Sequence, residues 1–526
     1  MRVALINPTP IDHYSPCIRT LAAYLKQHGH EVRLVFLPAD NYTTRFQPGF
    51  IKQMKQTLVE DLVELMADCD LVGVSFLTAQ FDVAVQATRA IQKAYPDKAI
   101  CWGGFHPTTM PQQALEFVDM VCVGEGEEAL LELADTLEAG EDPTAIQNFW
   151  FKTADGRVVS NPHRPLIQDL DTMPFQDFTL EDDWTWEPKT AAKLVKIEWD
   201  FFKHIVPTYP DRNGDLRISY KTMITRGCPH KCSYCGVAFN HQLYEGQKYL
   251  RRRSVEHLVG EIKQVIRKFP EIGIIHFQDD VFFSTSTEEI EKFGEVWKRE
   301  VGLPFRAQCS PATINEAKYK ALIDAGLCFT ELGIQTGSSE TMRMYKRGMT
   351  NEQLLKAVNI ISKYRDHIQV PDYHMILDNP WESTEDMMKG LRLICTLPPP
   401  YNLLPSSLIA YPGTEFFYKA MEDGFVTDEY NQVYRASFHV PKGSYLNFLF
   451  FLTLFNNLPK EVVLWLANER FVRRLNQRRY DRMWGRMYQA GEVARKAQRF
   501  ADFATKGKLL EITSLRELKR VANQMK

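Results

Sequence analysis

Several familiar signatures are missing from this sequence, and each absence narrows what the chain does. No GxGxxG run occurs, so a dinucleotide held on a glycine turn is not expected. No apolar segment is long enough to cross a bilayer: the longest, Tyr445 to Leu458, is interrupted by Asn447, Asn456 and Asn457 and falls short of the roughly 20 residues a spanning helix needs. Neither sign of charge dominates. The 63 lysines and arginines face 66 acidic residues for a net charge of -3, which excludes a global pull toward nucleic acid and makes any basic function local. The N-terminus enters an apolar run at once, Arg2-Val3-Ala4-Leu5-Ile6, without the charged region and cleavage site of a secretory leader, so no export is expected. Repeats and low-complexity segments are absent. Ten cysteines are present, but all except one cluster are scattered, which argues against a disulfide framework and for a reducing cytoplasm.

What remains is an α/β pattern. With 526 residues, 44% of them hydrophobic, the chain has room for about three domains. In residues 1–140, Val3 to Ile6, Glu31 to Phe36, Leu71 to Ser75, Ala99 to Trp102 and Met120 to Val123 read as strands separated by amphipathic helices. That rhythm predicts a doubly wound parallel sheet, whose ligand crevice lies beyond the carboxyl ends of the strands. Small residues at two of those ends, Ser75 and Gly103-Gly104, let a large flat ligand approach the backbone. Residues 141–215 read as a connector with a hairpin near Ala154-Asp155-Gly156 and an aromatic stretch from Trp184 to Pro210, for which packing is the expected role. Strand-helix alternation resumes over 216–430, with strands at Lys221 to Thr225, Ile274 to Gln278, Phe305 to Cys309, Thr330 to Gln335, Tyr373 to Leu377 and Leu404 to Ala410. From 431 to 526 the alternation gives way to helices rich in aromatic and basic residues.

The most informative stretch is Cys228-Pro229-His230-Lys231-Cys232-Ser233-Tyr234-Cys235, on a loop just past a strand. Cubane iron-sulfur clusters are ordinarily held by four cysteines, so three thiols leave one iron open to a non-protein ligand. A structural zinc site is the alternative, with His230 as the fourth ligand inside the same loop. CxxxCxxC after a first strand resembles the radical S-adenosylmethionine superfamily. The resemblance implies that Cys228, Cys232 and Cys235 hold a 4Fe-4S cluster whose open iron chelates S-adenosylmethionine, and that an electron from an external donor such as a flavodoxin or ferredoxin splits it to a 5′-deoxyadenosyl radical. It also implies a partial (β/α)6 barrel for 216–430.

A second resemblance joins the first. Ser75-x-Leu77, followed after 25 residues by Gly103-Gly104, looks like the SxL and GG elements that line the nucleotide-tail slot of cobalamin-binding domains, and it points to Ser75, Leu77, Thr78, Gly103 and Gly104. The DxHxxG element that supplies a cobalt-ligating histidine is absent: His28-Gly29-His30 and Asp12-His13 do not match it. Cobalamin is therefore expected to bind without histidine ligation, as in the cobalamin-binding branch of the superfamily. The helix start Gly124-Glu125-Gly126-Glu127 and the linker Leu170 to Phe175 also look typical of that branch. The acids suit a helix N-terminus on dipole grounds alone, so Glu125 and Glu127 are assigned no chemistry.

At the barrel's strand ends, Gln278-Asp279-Asp280 resembles the motif that receives the amino group of S-adenosylmethionine, for which a carboxylate is the natural partner. Glu331 and Gln335 resemble the fourth-strand motif near the ribose and carboxylate, and Tyr411-Pro412-Gly413 the turn near the adenine; helix caps and turns are the alternative for each. Glu469 to Phe500 carries ten basic residues against three acids, with Tyr480, Trp484 and Tyr488 among them. Such a segment suits nucleic acid, an anionic membrane surface or an acidic substrate, or is a solvated face beside a core stripe. The family implies a cobalamin-dependent methyltransferase acting on an unactivated carbon of a small-molecule or lipid-like substrate, with no nucleic acid partner. Cyclisation or rearrangement with the same cofactors is one alternative, and a non-catalytic iron-sulfur corrinoid protein is another.

Overall fold

The computed structural model describes residues 1–9, 14–38, 53–439, 441–455 and 458–505. They fall into two compact units: Met1–Gly333 with Met342–Pro371 and Leu408–His439, and Ile334–Thr341 with Asp372–Ser407 and the tail from Val440.

In the first unit, β1 (Arg2–Thr9), β2 (Glu31–Pro38), β3 (Leu71–Ser75), β4 (Ala99–Gly103) and β5 (Met120–Cys122) form a parallel core in the order β5-β4-β3-β1-β2. Their near-continuous apolar runs are buried because helices cover both faces. The helix Pro16–Gln27 starts with proline, whose fixed φ suits a first turn, and buries Ile18, Ala22 and Leu25. The order reverses at β1 and β3, which places the crevice of such a sheet beyond Ser75. The connector differs from its expected role. β6 (Phe149–Lys152) and β7 (Val158–Ser160) pair about Gly156, as the turn predicts, but extend the sheet at one edge, while β8 (Asp183–Trp186) and β9 (Leu194–Lys196) extend it at the other. A buried Arg19–Asp183 pair at 2.8 Å pins β8 to the first helix.

The first unit also holds a second sheet. Here β10 (Thr208–Pro210) runs antiparallel to β11 (Leu216–Thr222), while a short ribbon of β12 (Thr225–Arg226) and β13 (Arg251–Arg252) stands apart. Parallel to β11 follow β14 (Ile272–Phe277), β15 (Phe305–Cys309) and β16 (Leu327–Gln335), the last ending in the second unit. Ser254, Ser286 and Asn315 cap the intervening helices by accepting the N–H three residues on, which fixes where each strand's exit loop ends. Phe277, Phe282, Phe293, Trp297 and Phe305 fill the space beneath those helices. β11 stops at Thr222, short of the expected Thr225, because the next residues are drawn to Asp279.

In the second unit, β17 (Asp372–Leu377) and β18 (Asn402–Ser407) pair in parallel. The apolar run of the tail is core here, not an interfacial segment: in the helix Tyr445–Leu452, Leu446, Leu449 and Phe450 are fully buried. Asn447, which interrupts that run in sequence, is buried and donates to Asp378 Oδ1 at 2.7 Å and to the Lys442 carbonyl at 2.9 Å. Asn456 and Asn457 lie outside the described residues. Among the described residues, no helix is long and apolar enough to cross a membrane.

Candidate active site

A cavity of about 400 Å³ opens in the first unit at the carboxyl ends of β1, β3 and β4. Leu5, Gly73 and Cys101, side by side in register, face it from the sheet, and Ser75, Gly103 and Gly104 form its rim. Space here depends on missing side chains. Gly104 has φ 89°, and a Cβ there would come within 2.7 Å of the Phe76 nitrogen and 2.9 Å of Ser75 Oγ. A Cβ at Gly103 would meet only Cys122, at 3.7 Å. The glycines and Ser75 at these strand ends leave a slot that fits the slender tail of a corrinoid.

Not every expected cradle residue faces this slot. Leu77 is 54% exposed, and its N–H donates to Gln80 at 2.8 Å. Buried Thr78 pairs with His106 at 3.2 Å. Both lie past the point where the chain turns from β3 into its helix. His28 is a helix-end residue bonded to the Tyr24 carbonyl. His30, with partners in Met1 and Asp135, precedes β2 at the opposite end of the sheet. His13 lies outside the described residues.

Across the cavity stand Met223 to Gly227, the residues leading into the cysteine loop. Gly227 has φ 94°, and a Cβ there would meet the Tyr249 carbonyl at 2.8 Å. The loop itself is held from several sides. His241 bonds the Cys228 carbonyl at 2.8 Å, Ser233 Oγ donates to the Met344 carbonyl at 2.7 Å, and Arg347 donates to the Tyr234 hydroxyl at 2.7 Å. Burial pushes the Cys228 thiol up to about 12 and that of Cys235 to about 11, so a metal that takes the thiolate must displace the proton. A lone tetrahedral zinc would gather its sulfurs to about 3.8 Å of one another. Among the described residues, the only three-ligand group with donor atoms within 4.8 Å is His30, Asp135 and Glu138. Three thiols with no fourth cysteine in the loop suit a cubane, in which each binds a different iron and one iron stays open.

The paired aspartates separate into two roles. Asp279 is 1% exposed and does not face the cavity: it accepts from the N–H groups of Ile224 at 3.1 Å and Thr225 at 2.6 Å and from the Thr225 hydroxyl. Its expected contact with S-adenosylmethionine is thereby replaced by a structural one, since its oxygens already hold the start of the cluster loop. Asp280 lines the cavity and makes no hydrogen bond among the described residues. Asp280 is exposed into the cavity, and the protein packed around that opening, followed by the neighbouring Asp279, pushes its carboxyl up to about 6.

The remaining candidates lie elsewhere. Glu331 pairs with Arg306 at 3.3 Å, whose guanidinium sits 3.9 Å from the rings of both Tyr209 and Phe329. Gln335, with φ 67°, belongs to the second unit. The turn at Tyr411 leads into a helix capped by Thr414, and its Gly413 packs against Thr109.

Sequence reasoning missed a charged wall of the same cavity: Glu125, Glu127, Arg226 and Arg251. Glu127 is 2.6 Å from Arg226, and Glu125 is 2.5 Å from Arg251. Burial opposes the Glu127 charge, but Arg226 outweighs it and holds the carboxyl below its ordinary range. The available signal was charge complementarity between an acidic helix start and arginines beside the cysteine loop.

Comparison with known proteins agrees with this geometry. Residues 2–134 match the B12 binding domain family and residues 222–391 the radical SAM superfamily. An uncharacterized methyltransferase of Pyrococcus horikoshii is 24% identical over 68% of this chain and 71% of its own. An anaerobic magnesium-protoporphyrin IX monomethyl ester cyclase of Rubrivivax gelatinosus is 25% identical over 62% of this chain and 54% of its own. The structure of the radical S-adenosylmethionine methyltransferase TsrM from Kitasatospora setae, with tryptophan and a SAM analog bound, shares the fold at 18% identity, with a TM-score of 0.59 over 80% of this chain and 76% of that one. The chain belongs to the cobalamin-binding branch of the radical S-adenosylmethionine superfamily.

Proposed function

We propose that this protein is a cobalamin-dependent radical methyltransferase acting on an unactivated carbon of a small-molecule or lipid-like precursor. One observation carries the reading: a single cavity is walled on one side by the corrinoid cradle and on the other by the residues that lead into the cysteine loop, together with Asp280. When bound, the cluster with S-adenosylmethionine supplies a carbon-centred radical and cobalamin supplies the methyl group. The chain's own part is to bind and orient. Cys228, Cys232 and Cys235 would hold the cluster, and Ser75, Gly103 and Gly104 would admit the corrinoid. Asp280 supplies the carboxylate for the ammonium of S-adenosylmethionine, a pairing that needs its ionised form. A flavodoxin or ferredoxin is the electron donor this chemistry calls for.

Similarity to the cyclase supports a second reading, ring closure without methyl transfer. Anaerobic reconstitution with cobalamin and methyl-labelled S-adenosylmethionine separates the two. Label carried into product is expected; deoxyadenosine with an unlabelled, altered substrate would refute methyl transfer and favour cyclisation. Replacing the three cysteines with alanine should abolish iron binding and reductive cleavage while cobalamin is still taken up.

A further inference from the structure

The acidic helix start at Gly124 to Glu127 is fastened to the ribbon that carries the cysteine loop, and both lie in the first unit. Arg226 and Arg251 are directly opposed on β12 and β13. Glu127 Oε1 accepts from Arg226 Nη2 at 2.6 Å, while Glu125 takes Arg251 through both oxygens, at 2.5 and 3.0 Å, and lies 3.5 Å from Arg226. The glutamate backbone is caught as well. The Glu125 N–H donates to the Tyr244 hydroxyl at 2.8 Å, and Gly124 lets that ring close in, since a Cβ there would stand 2.0 Å from Tyr244 Oη. Arg251 also donates to the Ile167 carbonyl at 2.9 Å. Two carboxylates therefore meet two guanidinium groups in a balanced set, with forked geometry that fixes orientation as well as distance. Arg226 stands two residues before Cys228, and Glu125 stands three residues after β5, whose Cys122 lines the cavity on the sheet side, so the set spans the two walls of the cavity.

We propose that Glu125 and Glu127 are positioning residues: by gripping Arg226 and Arg251 they set the separation between the corrinoid cradle and the cluster loop. The inference rests on the cofactor assignment above for its consequence, though not for the grip itself. A solvated helix-start pair would leave the cluster loop indifferent to its loss. A grip makes both ends respond together, and geometry between reacting groups is costly to lose: a misplacement of about 1 Å slows a reaction about a hundredfold.

Two measurements on the full chain test this. The first needs no cofactor. Hydrogen exchange of the apo protein carrying Glu125→Gln and Glu127→Gln is expected to accelerate at residues 124–127 and 225–227 together; unchanged exchange at 225–227 overturns the grip. The second uses the anaerobically reconstituted protein with its cluster reduced and its cobalamin in the cob(II) state, where the two unpaired spins broaden each other's paramagnetic resonance according to their separation. The double variant is expected to retain iron and cobalamin but to lose the wild-type splitting. Glu127→Asp, a milder change that keeps the fold if the double variant does not, is expected to shift it. The exchanged pair Glu127→Arg with Arg226→Glu is expected to recover much of the splitting that Glu127→Arg alone abolishes. Wild-type splitting in the double variant, or no recovery in the exchanged pair, refutes the positioning role. A wild-type chain that takes up neither cofactor would refute the cofactor reading, while the exchange experiment still decides the grip.

Discussion

Asp279 and Asp280 are adjacent carboxylates that should fail in opposite ways when replaced. Asp279 is buried and accepts from two backbone N–H groups and one hydroxyl. Asp279→Ala strands those three donors, and a stranded buried donor costs about 1–3 kcal/mol. Two terms pull the sum toward its lower end. Truncating Asp279 leaves space beside Ile224 and Thr225, at the cavity's edge, for a water to take up the freed donors, and desolvation already raises the Asp279 carboxyl, so its charge is itself a cost that the substitution removes. The expected loss is therefore about 3 kcal/mol, confined to the segment between β11 and the cysteine loop. At about tenfold per 1.4 kcal/mol, amides of residues 223–227 should exchange more than about a hundredfold faster in the apo protein. Asp280→Asn should leave that exchange unchanged, because no hydrogen bond depends on it among the described residues, and should instead abolish calorimetric binding of S-adenosylmethionine to the cluster-loaded protein. Loss of S-adenosylmethionine binding in Asp279→Ala with wild-type exchange, or accelerated exchange in Asp280→Asn, would refute the division of roles.

Other expectations follow from single sites. Gly104→Ala places a Cβ against the Phe76 backbone at a φ of 89°, in a region nearly reserved for glycine. It should cost at least about 1–3 kcal/mol in a thermal melt and weaken cobalamin uptake followed by absorbance. Asp280, raised to about 6, should lose its charge as the pH falls through that value. S-adenosylmethionine affinity measured by calorimetry then falls below about pH 6, whereas Asp280 itself takes nothing from apo stability there, because a raised carboxyl pKa makes the ionised form the costly one in the native state. Phe450→Ala removes a fully buried ring from the second unit and should cost about 3–5 kcal/mol, while Trp465→Ala, 64% exposed, should shift the melt negligibly; equal shifts would contradict the burial of the tail's apolar run.

Local periodicity and short spacings determined much of this protein. The alternation of apolar strands with amphipathic helices was enough for the doubly wound sheet and the strand series after residue 216, because each strand's burial on both faces is written in its own residues. Mutual spacing and a preceding strand are enough to propose the three cysteines as cluster ligands, and places at strand ends to propose Ser75 with Gly103-Gly104 as the corrinoid cradle. Boundaries moved where a distant group intervened, as at Thr222, whose strand stops because Asp279 takes the amides of Ile224 and Thr225.

Tertiary structure alone decided the rest. Which of two neighbouring aspartates faces the cavity depends on how the chain turns after β14, which composition does not encode. Glu127 and Arg226 are 99 residues apart, and Glu125 and Arg251 are 126 apart; nothing local pairs them, since either acid serves equally well as a solvated helix start. Residues 149–196 look like a connector because edge strands are short and partly polar, and only the presence of a sheet edge to pair with makes them strands. The apolar tail helix reads alike as core or interface, and what settled it was a second surface to bury against.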